Sequence, residues 1–374
     1  MSIRRLFIAA AAVFAICGCM DLGDIAGAID DMRTVARIGI VAHPELSWPK
    51  SAGNLQRAFE YYRIRKVDAI VVLGDLTKDG YLNQYRVLAQ AWDSVFCNPV
   101  KGVVKDPPRR IFVLGDRDRE RFKPEFASGL GDDLSIDGGE FEVNGFRFRA
   151  MSSRPADGDL PTFYADGKMA LSDELCWYPR VRPYVNAGSL SGIELKAGYE
   201  PVPKAKSASQ GLLATVYSDE ISVSRIDFGD NAVVADDWRI PRNGGEQKVQ
   251  LDSQTPEFWS DTELRVLPGN ESKKGLSYKV VWPPILAKHT GVRAHSYEVS
   301  VFALDHADEK YVLVKRKYVL SPNFHRAEDK DTEPVSCRFY ESELPQSSSL
   351  RFTVTPISNF GVKGRALELT VPVR

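Results

Sequence analysis

Three short, continuously apolar stretches constrain the fold of this chain more than any other feature. They are RIGIVA (residues 37–42), DAIVVLGD (residues 68–75) and RIFVLGD (residues 110–116). Between them lie residues 54–65 and 81–96, whose apolar side chains recur at helical spacing. Strands that are apolar throughout are buried on both faces, and helical connections join them as right-handed βαβ units. The sequence therefore predicts a parallel sheet covered on both faces.

The pattern then changes to one that favours antiparallel pairing. EFEVNGFRFRAMSS alternates apolar and polar residues around Asn144-Gly145, which is a strong signal for a type I′ hairpin. Strand-like segments follow at residues 183–187, 211–217 and 220–228. We therefore predict that residues 37–238 form one layered α/β domain.

A second domain is predicted after a polar segment. Residues 239–254, with a Gly pair, are typical of a linker. Residues 255–374 contain short alternating strands and no helical periodicity, which predicts an all-β sandwich. YEVSVFA, the later FTVTPISNFGVKG and Trp282 resemble an immunoglobulin or fibronectin type III-like sandwich. Such a domain is expected either to be a stabilising appendage, which is the preferred interpretation, or to present a surface to a protein or glycan partner.

The N-terminus has the features of an export signal. Arg4 and Arg5 precede an apolar run that is too short to span a bilayer, and the run ends in AICGCMD. This ending resembles a bacterial lipobox with Cys19 as the acylated residue. The resemblance implies a signal peptide over residues 1–19, a tether over residues 20–36 and a membrane-anchored lipoprotein of the bacterial cell envelope. A plain secretory signal with incidental cysteines is the alternative.

Composition excludes one class of partner. With 49 Lys and Arg against 50 Asp and Glu, the formal net charge is −1, so no basic surface for nucleic acid is expected. After removal of the signal, Cys97, Cys176 and Cys337 remain, and no spacing among them resembles a zinc site. Because three is an odd number, at least one thiol is free. A disulfide between Cys97 and Cys176 is compatible with the sequence in an oxidising compartment, but the sequence does not establish it.

Polar side chains follow each of the three apolar strands. His43 and Glu45 follow the first strand and Asp75 follows the second. Asp116 and Asp118 follow the third. Neighbouring parallel strands end at the same edge of a sheet, where functional loops gather. Carboxylates and an imidazole at such an edge are suitable ligands for divalent metal ions.

The order of these motifs resembles the calcineurin-like metallophosphoesterases. Gly74-Asp75 follows one apolar strand, and Gly115-Asp116-Arg117-Asp118 follows the next. The family pattern is D-x-H, G-D, G-N-H-[D/E], an isolated His and G-H-x-H. The resemblance covers about residues 37–230 and implies a layered α/β/β/α sandwich. It also implies metal-dependent hydrolysis of phosphoesters, with two metal ions bridged by an aspartate.

This sequence departs from the family at several ligand positions. His43-Pro44-Glu45 stands in the place of D-x-H. Asp116 and Arg117 replace the asparagine and the histidine of G-N-H. The later histidine motifs have no counterpart, because only one of the five histidines precedes residue 289.

These departures change the expected chemistry. Arg117, at the position of the catalytic histidine, offers positive charge but cannot shuttle a proton near neutral pH. His43, Glu45, Asp75 and Asp116 are candidate ligands for one hard cation such as Mn²⁺, Mg²⁺ or Ca²⁺. The expected cofactor is therefore one divalent ion or none, and a two-metal centre is not expected.

Other interpretations of these residues stay open. Asp75 and Asp116 can cap a following helix without any metal. Arg117 and Asp118 can pair with each other or with neighbouring loops, which would give a salt-bridged relic of a site. Asn186, Ser189 and Ser191 can hydrogen-bond a ligand or complete a turn.

Three functions follow from these alternatives. The first is a lipid-anchored binding or scaffold protein on a degenerate phosphoesterase domain, with hydrolysis weak or lost. The second is an active metal-dependent phosphoesterase with substituted ligands. The third is a structural envelope lipoprotein that uses only its sandwich.

Overall fold

The computed structural model describes residues 33–98, 104–127, 130, 133–136, 138–151, 164–166, 184–192, 199–200, 209–234, 237–241, 255–272, 275–286, 292–305, 307–324, 332–358 and 361–373. Cys19, with the whole predicted signal peptide, and Cys176 lie outside these ranges. Within them, no helix combines the length and the apolar composition needed to cross a bilayer.

The described residues form three α-helices and twenty strands, numbered here in chain order. The helices are α1 (Gly53–Ile64), α2 (Leu82–Phe96) and α3 (Asp116–Arg119). The strands of the N-terminal half are β1 (Thr34–Ala42), β2 (Ala69–Leu73), β3 (Arg109–Val113), β4 (Asp133–Ser135), β5 (Gly139–Val143), β6 (Phe146–Met151), β7 (Tyr164–Asp166), β8 (Tyr184–Asn186), β9 (Tyr199–Glu200), β10 (Gln210–Tyr217), β11 (Glu220–Asp227), β12 (Ala232–Val233) and β13 (Trp238–Pro241). The remaining strands are β14 (Arg265–Ser272), β15 (Gly275–Trp282), β16 (Ser296–Asp305), β17 (Lys310–Leu320), β18 (Val335–Tyr340), β19 (Ser349–Ile357) and β20 (Leu367–Pro372).

An eight-stranded mixed sheet forms the centre of the N-terminal half. Its order is β12-β11-β10-β1-β2-β3-β4, and β13 also pairs with β11. β1 to β4 run parallel, whereas β10 lies antiparallel to β1 and to β11. The parallel sheet predicted from the three apolar stretches is confirmed. The antiparallel strands extend the same sheet on the other side of β1.

The two faces of this sheet are buried in different ways. α1 and α2 cover one face, where Phe59 and Trp92 lie edge to face with ring centroids 5.3 Å apart. The hydroxyl of Tyr62 donates to the carbonyls of Ile40 and Leu212, both at 2.9 Å, and thereby ties α1 to two strands.

The opposite face packs against the β5–β6 hairpin, chiefly through Phe146 and Phe148. At the tip, Asn144 and Gly145 have φ of 50° and 79°, as a type I′ turn requires. The described elements therefore make helix, sheet and sheet layers. They do not include the outer helical layer of the expected α/β/β/α order.

The C-terminal half consists of two sheets around one core. Their orders are β14-β15-β18 and β20-β19-β16-β17-β9. Trp282 of one sheet and Tyr297 of the other meet with ring centroids 5.4 Å apart. Along β19, half-buried and buried residues alternate strictly, so the period-two pattern of the sequence corresponds to one core-facing side.

The two halves contact each other directly. β9 pairs in parallel with β17, and Lys317 lies 3.1 Å from the carboxylate of Glu200. The guanidinium of Arg225 lies over the ring of Phe324, and its Cζ is 4.5 Å from the ring centroid. β13 extends three residues into the predicted linker, because residues 239–241 pair with β11. The domain bounds themselves stay predictions.

Candidate metal site

The loops that follow β1 and β2 run side by side beyond the strand ends. The N–H of His43 donates to the carbonyl of Leu73 at 3.0 Å, and the N–H of Glu45 donates to the carbonyl of Asp75 at 3.1 Å. These bonds continue the parallel pairing of the two strands. As a result, side chains from two loops converge at the carboxyl edge of the sheet, where the sequence placed them.

His43, Glu45 and Asp75 bring their ligand atoms within 4.8 Å of one another. His43 is 6% exposed, its Nδ1 lies 3.7 Å from Asp75 Oδ2, and neither of its ring nitrogens has a hydrogen-bond partner. Buried polar atoms nearly always have a partner, so this imidazole has unused capacity to bind a ligand. One imidazole and two carboxylates are a donor set that divalent cations accept. The three side chains therefore fit one divalent metal ion.

The backbone at these three residues is strained. His43, Glu45 and Asp75 have φ of 49°, 46° and 35°, in the left-handed region that side chains with a Cβ seldom adopt. They are three of the seven described non-glycine residues with positive φ. Such residues concentrate at functional sites, where the surrounding structure holds them in place. The strain here aims all three side chains at one point.

Arg117 lies over the two carboxylates. Its Nη1 is 2.7 Å from Glu45 Oε1, its Nε is 3.5 Å from Asp75 Oδ2, and its backbone N–H donates to Asp75 Oδ1 at 3.2 Å. The side chain is 47% exposed. The guanidinium therefore compensates two carboxylates on neighbouring loops, which is one of the arrangements left open by the sequence.

Asp116, the fourth predicted ligand, is the first residue of α3, directly after the loop that follows β3. The structure does not describe its side chain.

Asp118 binds a neighbouring loop, which is one of the arrangements that the sequence left open for it. Its Oδ2 accepts from the N–H groups of Leu76 at 2.7 Å and Gly115 at 3.0 Å. Its Oδ1 accepts from the N–H of Thr77 at 3.0 Å, the hydroxyl of Thr77 at 2.7 Å and the hydroxyl of Tyr85 at 3.1 Å. The carboxylate thus joins the loops after β2 and β3. Because these donors engage both oxygens, Asp118 is not a metal donor.

Burial is the largest influence on the ionisation of this cluster. It raises the pKa of Asp118, although hydrogen bonds from Thr77, Gly115 and Leu76 partly offset the rise. Burial and the adjacent charge of Asp118 also raise the pKa of Tyr85. A signal for Asp118 does exist in the sequence, because it is the third residue of a helix that begins after Gly115, a common position for a capping carboxylate.

Gly115 permits the two loops to approach closely. A Cβ at this position would lie 2.0 Å from the backbone nitrogen of Asp75 and 2.2 Å from its Oδ1. No side chain fits in this space without moving Asp75. The glycine of the Gly115-Asp116 pair is therefore required by the position of the candidate ligand in the preceding loop.

A third loop, residues 187–192, reaches the same sheet edge. The N–H of Leu190 donates to the carbonyl of Ala42 at 2.9 Å, and the N–H of Gln210 donates to the carbonyl of Ser189 at 3.0 Å. The hydroxyls of Ser189 and Ser209 are buried there without a hydrogen-bond partner. Ser191 is exposed, and the side chain of Asn186 is not described. This edge therefore carries unused polar capacity beyond His43.

Comparisons with known proteins do not identify a family for this chain. No protein-family model and no curated protein matches the sequence. Solved structures that align with it include a phosphoesterase from E. coli, at 14% identity over 55% of this chain and 100% of that chain, with a TM-score of 0.33. A dimetal phosphatase from Danio rerio aligns at 13% identity over 56% of this chain and 99% of that chain, with a TM-score of 0.34. Vacuolar protein sorting 29 from Cryptosporidium parvum aligns at 12% identity over 55% of this chain and 98% of that chain, also with a TM-score of 0.34. Identities and TM-scores this low establish neither the function nor the family of the chain.

Proposed function

We propose that this chain is a lipid-anchored protein of the bacterial cell envelope that binds a ligand or partner rather than hydrolysing a phosphoester efficiently. Its N-terminal half is proposed to be a degenerate calcineurin-like phosphoesterase domain, residues 37–238. The observation that carries the proposal is the position of Arg117. Its guanidinium contacts both carboxylates, Glu45 and Asp75, that would otherwise bind metal.

Charge limits how many further cations this site accepts. Among the side chains that the structure describes at this site, Glu45 and Asp75 carry two negative charges and Arg117 carries one positive charge. The remaining charge suits one divalent ion better than two adjacent ones, which would repel each other and the guanidinium. We therefore propose one bound divalent ion or none. With two carboxylates and one imidazole, Mn²⁺, Mg²⁺ and Ca²⁺ are the candidates.

The site is also poor in groups that transfer protons. The structure describes two of the five histidines, and the second, His295, packs against Phe324 in the C-terminal half with ring centroids 4.8 Å apart. Arg117 stabilises negative charge but does not act as a general acid. A metal ion held by His43, Glu45 and Asp75 would supply Lewis acidity. The described residues around such an ion would orient a ligand and supply charge. They include no second imidazole that could transfer a proton.

An active metal-dependent phosphoesterase is the second candidate. It is favoured by His43, whose two ring nitrogens are buried without a partner. An imidazole in that state is suited to metal ligation. The two candidates differ in turnover, not in the residues that line the site.

Metal content and turnover together distinguish the two candidates. The protein is purified in the presence of Mn²⁺, its metal is counted by mass spectrometry, and hydrolysis of 4-nitrophenyl phosphate is followed. Asp75→Asn removes a central carboxylate, and Asp219→Asn, at an exposed surface site, is the matched control. We expect at most one ion per chain and the same negligible turnover in all three proteins. Two ions per chain with turnover abolished in Asp75→Asn alone would establish the enzyme instead.

The C-terminal half, residues 255–374, is proposed to be an immunoglobulin or fibronectin type III-like domain that binds a protein or glycan partner. A cavity of about 600 Å³ at one end of it supports this. Trp259 borders the cavity and is 54% exposed, beside Pro283 and Ile285. Exposed tryptophans are frequent anchors in binding sites. Trp259→Ala is expected to reduce recovery of a partner from envelope extracts, and Leu267→Ala, also exposed, is the control.

Membrane anchoring through Cys19 is the remaining part of the proposal, and the lipobox-like AICGCMD supports it. A thioether-linked lipid would place the chain in the membrane fraction. Cys19→Ser is expected to release the protein from that fraction, whereas Cys17→Ser leaves it there. Equal membrane association of both variants would contradict acylation at Cys19.

A further inference from the structure

We propose that Arg117 is a tethered counter-cation, which a divalent metal must displace from Glu45 and Asp75 before it can bind. The inference rests on the proposed function, since it concerns the same single site. It goes beyond that proposal by assigning to Arg117 the control of metal affinity. In this account the site alternates between two compensated states, one closed by the guanidinium and one by the metal.

The two cations compete because they use the same oxygens. Glu45 Oε1 accepts from Arg117 Nη1 at 2.7 Å, a normal distance for a charge-assisted hydrogen bond. Asp75 Oδ2 lies 3.5 Å from Arg117 Nε and 3.7 Å from His43 Nδ1. A metal bound by the three candidate ligands needs an oxygen from each carboxylate. It would therefore sit within a few ångströms of the guanidinium, where like charges repel strongly.

Displacement of Arg117 is physically accessible. Almost half of its side chain is exposed, so the guanidinium can move into water without crossing packed structure. The backbone beneath it stays in place, because Asp118 binds the N–H groups of Gly115 and Leu76 on both loops. The side chains of His43 and Asp75 are buried and cannot move in the same way. Metal binding is thus expected to move one side chain and leave the loops unchanged.

The arrangement has a consequence for affinity. In the absence of metal, the guanidinium removes the repulsion between Glu45 and Asp75. A metal must first give up part of its binding free energy to break these contacts, so its apparent affinity is reduced. Loss of the positive charge at position 117 should therefore raise the affinity for the metal and lower the stability of the metal-free protein.

Binding of Mn²⁺ alone, with no substrate present, tests the inference. Free Mn²⁺ is measured by electron paramagnetic resonance during titration of the wild-type protein and of Arg117→Gln, Arg117→Lys and Arg63→Gln. Arg63 pairs with Glu60 on α1, so its variant controls for loss of a surface arginine. We expect Arg117→Gln to bind Mn²⁺ at least about tenfold more tightly than the wild type. Arg117→Lys, which retains the charge, and Arg63→Gln should stay within about threefold of the wild type.

A second readout addresses folding. In EDTA, Arg117→Gln is expected to melt at a lower temperature than Arg63→Gln, because its carboxylates are uncompensated, and Mn²⁺ should restore more of its stability. Equal Mn²⁺ affinity of Arg117→Gln and the wild type would overturn the inference. So would equal gains in affinity for Arg117→Gln and Arg117→Lys, or the absence of Mn²⁺ binding in every protein. None of these outcomes affects the proposed function, which is overturned separately by two ions per wild-type chain with turnover.

Discussion

The substitution Asp118→Asn tests the hydrogen bonds that join the loops of the candidate site. It replaces one carboxylate oxygen by an NH₂ group and leaves the shape of the side chain nearly unchanged. In one orientation the new NH₂ faces the N–H groups of Leu76 and Gly115, and both lose their acceptor. In the other orientation it faces Thr77 and Tyr85, whose hydroxyls can rotate to accept, so the N–H of Thr77 alone loses its acceptor.

Each buried donor without an acceptor costs about 1–3 kcal/mol, and the charge-assisted character of the remaining bonds is lost as well. We therefore expect Asp118→Asn to lower the free energy of unfolding of the N-terminal half by about 2–4 kcal/mol. The loss is measured by guanidinium denaturation followed by circular dichroism. Hydrogen exchange of peptides from the loops after β2 and β3 localises it.

Asp219→Asn is the matched control. Asp219 is exposed and lies 3.8 Å from Arg33, so its loss should change the free energy of unfolding by less than about 0.5 kcal/mol. If Asp118→Asn were as stable as this control, with unchanged exchange in both loops, the buried carboxylate would not join the loops and the account of the site would fail.

Two further predictions follow from buried positions. Gly115→Ala is expected to destabilise the protein by about 3 kcal/mol or more and to weaken Mn²⁺ binding, because the added Cβ would lie 2.0 Å from the backbone nitrogen of Asp75. Denaturation and Mn²⁺ titration check it, and Gly53→Ala, in α1 at φ −57° with no atom within 4 Å of the added methyl, is the control that should cause no loss of stability. Burial raises the pKa of the Cys337 thiol to about 12. Cys97 is exposed, although partial burial and the adjacent Asp93 also raise the pKa of its thiol. At pH 8 the thiolate fraction of Cys337 is then on the order of 10⁻⁴, so iodoacetamide should modify the accessible Cys97 first and Cys337 only after unfolding, as peptide mass spectrometry would show. Rapid native modification of Cys337 would contradict its burial.

Local sequence patterns predicted the parallel part of the central sheet well. The predicted strand at residues 37–42 lies within β1, and the predicted helix at residues 81–96 differs from α2 by one residue. These elements depend on apolar periodicity and on chain neighbours, which a single sequence displays directly. The hairpin at Asn144-Gly145 is similar, because positive φ at both turn positions restricts the residue types that can occupy them.

Long-range pairings were beyond the same reasoning. β10 joins the sheet beside β1, although the two strands are far apart in the chain, and no local pattern specifies that neighbour. The pairing of β9 with β17 is a second case, since a two-residue strand has no recognisable period. The outer helical layer implied by the family resemblance is not among the described elements.

The candidate site was predictable in position and less so in its contacts. His43, Glu45 and Asp75 meet because parallel strands end at one edge, which the sequence indicates. The contacts of Arg117 and Asp118 depend on which loop each side chain turns towards. Both reach residues about forty or more positions away in the chain, and such distances can be judged only in the folded protein.

A crystal structure of the protein grown with Mn²⁺, with manganese located by anomalous scattering, would show how many ions bind at this edge of the sheet. We predict no ion or one ion at His43, Glu45 and Asp75, and Arg117 turned away from the carboxylates wherever the ion is present. Two adjacent manganese ions bridged by Asp75 would contradict the claim that this site no longer supports two-metal hydrolysis.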